Sequence, residues 1–159
     1  MATSHSYTTR LEWTGNLGSG TSDYRAYSRS HRLEVKGKPV LELSSDPQFR
    51  GDASLYNPEE LFLASISSCH MLWYLHLCAD AGVRVLEYQD EATGVLQLQQ
   101  DGGGRFTEVC LHPKVLVAEA SMIPEAEALH LPAGQRCFIA NSLRVPVRHE
   151  GTCVALPLT

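Results

Sequence analysis

The hydrophobic pattern of the chain changes from short alternating runs to one long apolar run and then back. Residues 7–13, 24–34 and 40–43 alternate between apolar and polar side chains, and glycine- or proline-containing turns separate them. This period of two predicts a meander of antiparallel strands. A long apolar run then occupies residues 61–81 and predicts a helix.

The predicted helix has clear start and stop signals. Asn57 is a good N-cap, Pro58 suits the first helical position, and Glu60 can close a capping box. Gly82 supplies the stop. Because the helix is apolar nearly all round, we expect it to be buried on most sides and to form the hub of the core.

The rest of the chain predicts two long strands, a helical region and two short terminal strands. These segments are 83–99, 106–118, 124–130, 136–143, 145–147 and 154–156. The helical region is expected to be interrupted at Pro132 and Gly134. The predicted fold class is therefore α+β, with an antiparallel sheet wrapped around a long central helix in a single domain over residues 1–159.

Composition and charge narrow the function classes. A net charge of −5 argues against nucleic acid or an anionic membrane as a partner. We predict no transmembrane helix, and the first residues lack the pattern of a secretory signal, so a cytoplasmic location is expected. In a reducing compartment, five cysteines favour buried thiols with a catalytic pair among them over a disulfide framework.

Two of the cysteines lie on separate helical segments. Cys69 falls in the middle of the long helix, ten residues after Glu59, and Cys137 opens the run 137–143. Two thiols on helices far apart in sequence suggest a redox pair. The other three are interpreted as structural: Cys78, Cys110 and Cys153.

These features resemble the osmotically inducible protein C and organic hydroperoxide resistance family. The resemblance is carried by the helix start 57–61, by Cys69 ten residues after Glu59, and by Cys137 at the head of 137–142. It covers the chain from about Leu11 to Val147. It implies a thiol peroxidase without metal or flavin that works as an intertwined homodimer, with a peroxidatic cysteine, a resolving cysteine, a glutamate and an arginine.

On this resemblance Cys69 is the peroxidatic cysteine, Cys137 the resolving cysteine and Glu59 the glutamate. The attacking sulfur must be a thiolate, and a helix dipole acts mainly within the first turn, so a neighbouring cation is required at Cys69. Arg50, on the loop before the helix, is the first candidate. Arg25, on the first predicted hairpin, is the alternative.

Helix geometry adds a constraint on this set. Ten helical residues rise about 15 Å, so Glu59 cannot touch Cys69 of its own straight helix. Both can serve one site only if Glu59 comes from a second subunit, which the Arg50 loop would accompany. A two-fold dimer with two composite sites satisfies this requirement.

The predicted activity is reduction of organic hydroperoxides through a Cys69 sulfenic acid and a Cys69–Cys137 disulfide, restored by a dithiol. The resemblance implies a lipoyl-type reductant. The alternatives are a non-catalytic protein that binds a small ligand or senses oxidants, and a thiol hydrolase using His70 as base. His70 is poorly placed for that role, because adjacent helical residues point about 100° apart.

The remaining candidate residues are three side chains of this helix and one histidine near the end of the chain. His70 and His76 lie on different helix faces, so no metal site is expected there. Trp73 and His76 share the helix face of Cys69, where they pack in the core or line a substrate pocket. His149, near the end of the chain, is expected to be solvated.

Overall fold

The computed structural model describes residues 3–157, which form nine strands and four α-helices in the mixed α+β class predicted from the sequence. By its internal contacts the chain divides into two compact units, one ending at Leu61 and the other beginning at Phe62.

The first unit contains the predicted antiparallel meander. Its strands pair in the order β1 (Arg10–Trp13), β2 (His31–Glu34) and β3 (Leu41–Leu43). Only the end of the predicted segment 24–34 is a strand. Upstream of β2, the Arg29 guanidinium donates to the carbonyls of Tyr24 and Tyr27 and lies over both rings. These contacts hold the preceding residues in turns.

The long helix α1 (Pro58–Asp80) begins and ends as predicted. The backbone N–H of Glu60 donates to Oδ1 of Asn57 at 2.9 Å, and the N–H of Asn57 donates to Oε2 of Glu60 at 3.1 Å. This reciprocal pair is the predicted capping box. After the helix, Gly82 has a φ of 72°, a left-handed conformation that glycine adopts without steric cost.

The prediction that α1 is buried on most sides is wrong. Its buried side chains form one stripe along the helix: Ile66, His70, Tyr74, Leu77 and Cys78. The helix faces away from this stripe are apolar but uncovered in the single chain, and Leu72 is 61% exposed. An apolar sequence pattern shows which helix faces can be buried, but it does not show what covers them.

The sequence predicts no transmembrane helix, but the structure contains a helix that passes a test of length and apolar composition for a membrane span. By length and composition alone, α1 passes that test. A core helix of a globular fold passes the same test, and part of α1 is buried within this fold. The helix is therefore weak support for a membrane span.

The second unit holds two three-stranded sheets. Their strands are β4 (Val85–Asp90), β5 (Thr93–Leu98), β6 (Gly104–Leu111), β7 (Pro113–Val117), β8 (Val147–His149) and β9 (Thr152–Ala155). One sheet has the order β4-β7-β9 and the other β5-β6-β8. Pairing is antiparallel except that β8 and β9 run parallel to β6 and β7.

Each of the two predicted long strands is split in two. The breaks fall at residues 91–92 and at His112. The backbone N–H of His112 donates to Oδ1 of Asp90 at 2.7 Å instead of to a neighbouring strand. The Asp90 side chain thus replaces one backbone acceptor of a neighbouring strand, and the hairpin changes sheets at this point.

The helical region contains α2 (Ile123–Ala128), α3 (His130–Arg136) and α4 (Phe138–Asn141). The predicted interruption at Pro132 and Gly134 is wrong, because α3 runs through both residues. Pro132 lies in the first turn, where its missing N–H is not needed. Gly134 leaves room for a neighbour, since a Cβ there would lie 2.6 Å from Cε1 of His149. The helix breaks instead at Cys137, whose backbone is extended.

The buried stripe of α1 contributes to two apolar clusters of the second unit. Tyr74, Leu77 and Cys78 pack with residues of β7, α2 and α3. Ile66 packs with Val109 and Leu111 of β6. Burial of each large apolar side chain contributes about 1.5–3 kcal/mol, so these clusters fix the position of α1 within its unit.

Candidate functional site

The structure brings the Cys69 and Cys137 thiols together. Cys69 lies in the middle of α1 and is half-buried, whereas Cys137 is fully buried between α3 and α4. Both are free thiols, and Cys69 lies close enough to Cys137 to raise the pKa of that thiol. Two residues 68 positions apart in sequence therefore form one dithiol.

The surroundings of Cys137 favour its protonated form. Burial and, to a smaller extent, the neighbouring Cys69 thiol raise the pKa of Cys137 to about 11. The backbone N–H groups of Ala140 and Ile139 act in the opposite direction, and that of Ala140 donates to Cys137 Sγ at 3.4 Å, which makes Cys137 the N-cap of α4. Since the shifted pKa is far above neutrality, Cys137 is a thiol at pH 7.

An apolar hollow adjoins the dithiol. It has a volume of about 300 Å³ and is lined by Leu72, Trp73, His76 and Phe138. The Trp73 ring meets the edges of Phe138 and His76 at centroid distances of 5.5 and 5.7 Å. The α1 residues follow Cys69 on its side of the helix, and Phe138 follows Cys137 in the chain. Trp73 thus lines the hollow and also packs against the core cluster of Tyr74, whereas His76 is exposed and only lines the hollow.

Glu59 lies in the first unit, in the first turn of α1. Its Oε2 atom is buried and has no hydrogen-bond partner among the described residues. A buried carboxylate oxygen without a donor is costly, so this oxygen is available to a cation or an N–H group. Glu60, the next residue, is the helix cap instead.

Arg50 also belongs to the first unit and closes the short 3-10 helix Pro47–Phe49. Its φ of 67° is left-handed, a strained conformation for a residue with a Cβ. The Arg50 side chain is exposed and forms no ion pair with Glu59 or any other acid within residues 3–157. Arg25 is exposed too, with its backbone N–H bonded to Asp23. The choice between the two arginines stays a prediction.

A third arginine was missed in the sequence. Arg136 lies over the Trp73 ring, with its guanidinium carbon 5.8 Å from the ring centroid. It directly precedes Cys137 in the last turn of α3, and this adjacency was the signal that could have identified it. Arg136 places a cation beside the hollow within the second unit.

The structure also contains a cluster of one buried and two half-buried histidines that the sequence did not reveal. The His70 ring stacks on His149 and His130 at centroid distances of 4.4 and 5.3 Å, and His130 stacks on Tyr74 at 4.0 Å. The expectation that His149 is solvated is therefore wrong. His70 is turned into this core and only 1% exposed, which agrees with its predicted unsuitability as a base for Cys69.

The mixed α+β fold and the pair of free thiols beside an apolar hollow define the class of protein to which the chain belongs. The family model for OsmC-like proteins matches residues 51–150. The chain belongs to the OsmC-like family.

Solved structures agree with this assignment. An OsmC-like protein of unknown function from Vibrio cholerae is 30% identical, with a TM-score of 0.83, over 94% of this chain and 100% of that one. An organic hydroperoxide resistance protein from Elizabethkingia anophelis is 21% identical, with a TM-score of 0.71, over 98% and 100%. A second such protein, from Bacillus subtilis, is 19% identical, with a TM-score of 0.63, over 92% and 98%. A comparison with curated proteins found no match.

Proposed function

We propose that this protein is a thiol-dependent peroxidase that reduces organic hydroperoxides to alcohols. The observation that carries the proposal is the proximity of a half-buried Cys69 to a fully buried Cys137 of raised pKa. The two similar structures named as organic hydroperoxide resistance proteins support it. A cytoplasmic location belongs to the same proposal.

The first step assigns different roles to the two sulfurs. The thiolate of Cys69 attacks the terminal oxygen of the hydroperoxide and the O–O bond breaks. The departing alkoxide takes up a proton from solvent, which replaces the one that Cys69 released on ionisation, and leaves as the alcohol. Cys69 is thereby oxidised to a sulfenic acid. Cys137 is not the attacking sulfur, because its raised pKa keeps it protonated at neutral pH.

The second step closes the disulfide. Cys137 loses its proton and attacks the sulfenic sulfur of Cys69, and water leaves as the S–S bond forms. An external dithiol then reduces this disulfide by thiol exchange, and a lipoyl-type dithiol is our proposed reductant. One hydroperoxide and one dithiol thus yield one alcohol, one water and one oxidised dithiol.

The hollow beside the thiols suggests the substrate class. Leu72 and Phe138 are 61% and 69% exposed, although both are large apolar residues. An alkyl or aryl tail placed against them loses contact with water at roughly 25 cal/mol per Å² buried. Hydrogen peroxide has no such tail, so the site should prefer organic hydroperoxides.

We further propose a homodimer that completes each site. Glu59 and Cys69 are separated by about 15 Å along one helix, so Glu59 of the partner subunit would serve Cys69. The unpartnered Oε2 of Glu59 would then hold an arginine, for which Arg50 of the partner subunit is our first choice. That arginine would stabilise the Cys69 thiolate and the charge that develops on the departing oxygen.

Intact mass spectrometry tests the mechanism. The reduced protein is treated with one equivalent of cumene hydroperoxide, and we expect the loss of two hydrogens from the formation of a disulfide. Cys137→Ser should instead gain one oxygen, because its Cys69 sulfenic acid cannot be resolved. Cys153→Ser, which alters a half-buried thiol elsewhere, should behave as the unmodified chain does.

A steady-state assay separates catalysis from the alternative of a non-catalytic binding or sensing protein. Consumption of cumene hydroperoxide is followed with dihydrolipoamide as reductant, and Cys69→Ser should abolish it. If peroxide is not consumed and the mass of the protein does not change, the peroxidase proposal is wrong. A single stoichiometric oxidation without turnover would favour the oxidant sensor.

A further inference from the structure

Three potential metal ligands meet where β6 ends. Cys110, His112 and Glu150 each offer one ligand atom, a sulfur, an imidazole nitrogen and a carboxylate oxygen, and these atoms all lie within 4.8 Å of one another. Cys110 is buried, His112 half-buried and Glu150 exposed. The cluster thus has a buried base and an open side from which a cation can enter.

The strand register explains why these side chains meet. Cys110 and His112 are two residues apart on an extended segment, so they point to the same face. Leu111, between them, points the other way into the core. β8 runs parallel to β6 with His149 opposite Leu111, so the next residue, Glu150, returns to the face of Cys110.

Further hydrogen bonds fix the backbone and the imidazole. The N–H of Glu150 donates to the carbonyl of Leu111 at 2.8 Å, and the N–H of His112 donates to Oδ1 of Asp90 at 2.7 Å. Thr93 Oγ1 lies 3.1 Å from Nε2 of His112. Outer partners of this kind orient the histidines of metal sites.

We propose that Cys110, His112 and Glu150 bind a divalent cation of the zinc class. Thiolate, imidazole and carboxylate are the three ligand types that zinc takes in proteins, and the thiol proton is released on binding. Mg²⁺ and Ca²⁺ prefer sites made of oxygen ligands, so the sulfur and nitrogen select against them. Three protein ligands leave the fourth tetrahedral position to water, as in open zinc sites.

The nearby charges are compatible with a cation. Arg148 lies near enough to lower the pKa of Cys110, but its guanidinium is already paired with the Glu108 carboxylate at 3.2 Å. Asp90 and Glu150 supply negative charge on the Cys110 side. The bound cation would tie the end of β6 to the segment that joins β8 and β9.

The test uses Co²⁺ as a spectroscopic substitute for Zn²⁺ and the full-length Cys69→Ser/Cys137→Ser protein, so that the dithiol cannot bind the metal. We expect one equivalent of Co²⁺ to bind with a sulfur-to-cobalt charge-transfer band, and Zn²⁺ to displace it. Adding Cys110→Ser should remove the band, whereas adding Cys153→Ser, the matched control, should leave it unchanged.

Substitutions at two exposed or half-buried positions test the proposal even if the variant of the buried cysteine fails to fold. Glu150→Gln and His112→Gln should each weaken Zn²⁺ binding by at least about tenfold, since even outer partners of metal ligands have effects of that size. His76→Gln, an exposed histidine elsewhere, should have no effect. The proposal is overturned if the starting variant shows no charge-transfer band at one equivalent, or if Glu150→Gln binds Zn²⁺ as tightly as its parent.

Discussion

Nε2 of His70 lies 3.0 Å from Nδ1 of His130, and only one of these two nitrogens can carry the hydrogen between them. Burial lowers the pKa of His70 to about 3 and that of His130 to about 4, and the charge of the neighbouring His149 lowers both further. Burial lowers the pKa of His149 as well. All three rings are therefore neutral at pH 7.

This cluster should make the fold sensitive to acid. An unfolded histidine titrates near pH 6.5, so the unfolded chain binds more protons than the folded chain below that pH. The contribution is fully present above about pH 6.5 and is lost as the pH falls toward the pKa values of His70 and His130, about 3 and 4. Each such histidine changes the free energy of unfolding by about 1.4 kcal/mol per pH unit in that window. Urea unfolding between pH 8 and 4.5 measures this slope.

Two variants test whether the pH dependence of the free energy of unfolding comes from the histidine cluster. His149→Gln should reduce the pH dependence between 6.5 and 4.5, because one half-buried ring of lowered pKa is removed. His76→Gln removes an exposed histidine paired with Asp80 and should leave the slope unchanged. Equal slopes in both variants would show that carboxylates, and not the buried histidines, control the acid stability.

A second prediction concerns the rate at which the disulfide closes. Cys137 must be ionised to attack the sulfenic acid, and its pKa of about 11 leaves few molecules ionised at pH 7. The rate of disulfide formation should therefore rise about tenfold per pH unit between pH 7 and 9. Quenched-flow mixing with a sulfenic-acid trap, followed by mass spectrometry, measures this rate. A rate that does not change over this range would show that another group activates Cys137.

The arginine assignment is tested by comparing conservative substitutions. Lysine keeps the charge but loses the planar fork that can hold Glu59 and approach a sulfur together. We expect Arg50→Lys to lower the peroxidase rate and the alkylation rate of Cys69 by at least about tenfold, with the fold intact. Arg25→Lys should change neither rate. A larger loss in Arg25→Lys would move the role to the first hairpin, and a larger loss in Arg136→Lys would move it to the second unit.

Two tyrosines provide a matched stability test. The Tyr74 hydroxyl is buried and donates to the carbonyl of Ala126 at 3.0 Å, whereas the Tyr88 hydroxyl is buried without a partner among the described residues. Tyr74→Phe should lower the free energy of unfolding by about 1–3 kcal/mol, because a buried acceptor is left unpaired. Tyr88→Phe should leave it unchanged or raise it. Urea denaturation of both variants checks the difference, and equal losses would contradict it.

Local signals explain which parts of the fold could be predicted from the sequence. The capping box of Asn57 and Glu60 and the stop at Gly82 act within a few residues of α1, so its bounds followed from the sequence. The positions of Pro132 and Gly134 were misleading. A proline is tolerated in a first turn, and this glycine is required by His149, a contact that depends on the tertiary fold.

The candidate site, like the fold, could be predicted from the sequence only in part. The two cysteines that the sequence analysis selected, Cys69 and Cys137, lie close together in the structure, and their catalytic roles stay a prediction. The histidine cluster and the Cys110 group could not be predicted, because both depend on β8 pairing parallel with β6. Nothing in the segment 145–150 indicates that pairing.

Cys137 has a structural duty besides its proposed chemistry. Its sulfur accepts the N–H of Ala140 and so secures the first turn of α4, a helix of only four residues. A disulfide to Cys69 would reorient the Cys137 sulfur and weaken this hydrogen bond. The backbone amide of Ala140 would then exchange with solvent more readily. In the proposed mechanism, a Cys69–Cys137 disulfide would therefore loosen α4, and Phe138, which borders the hollow, would gain freedom on oxidation and lose it again on reduction.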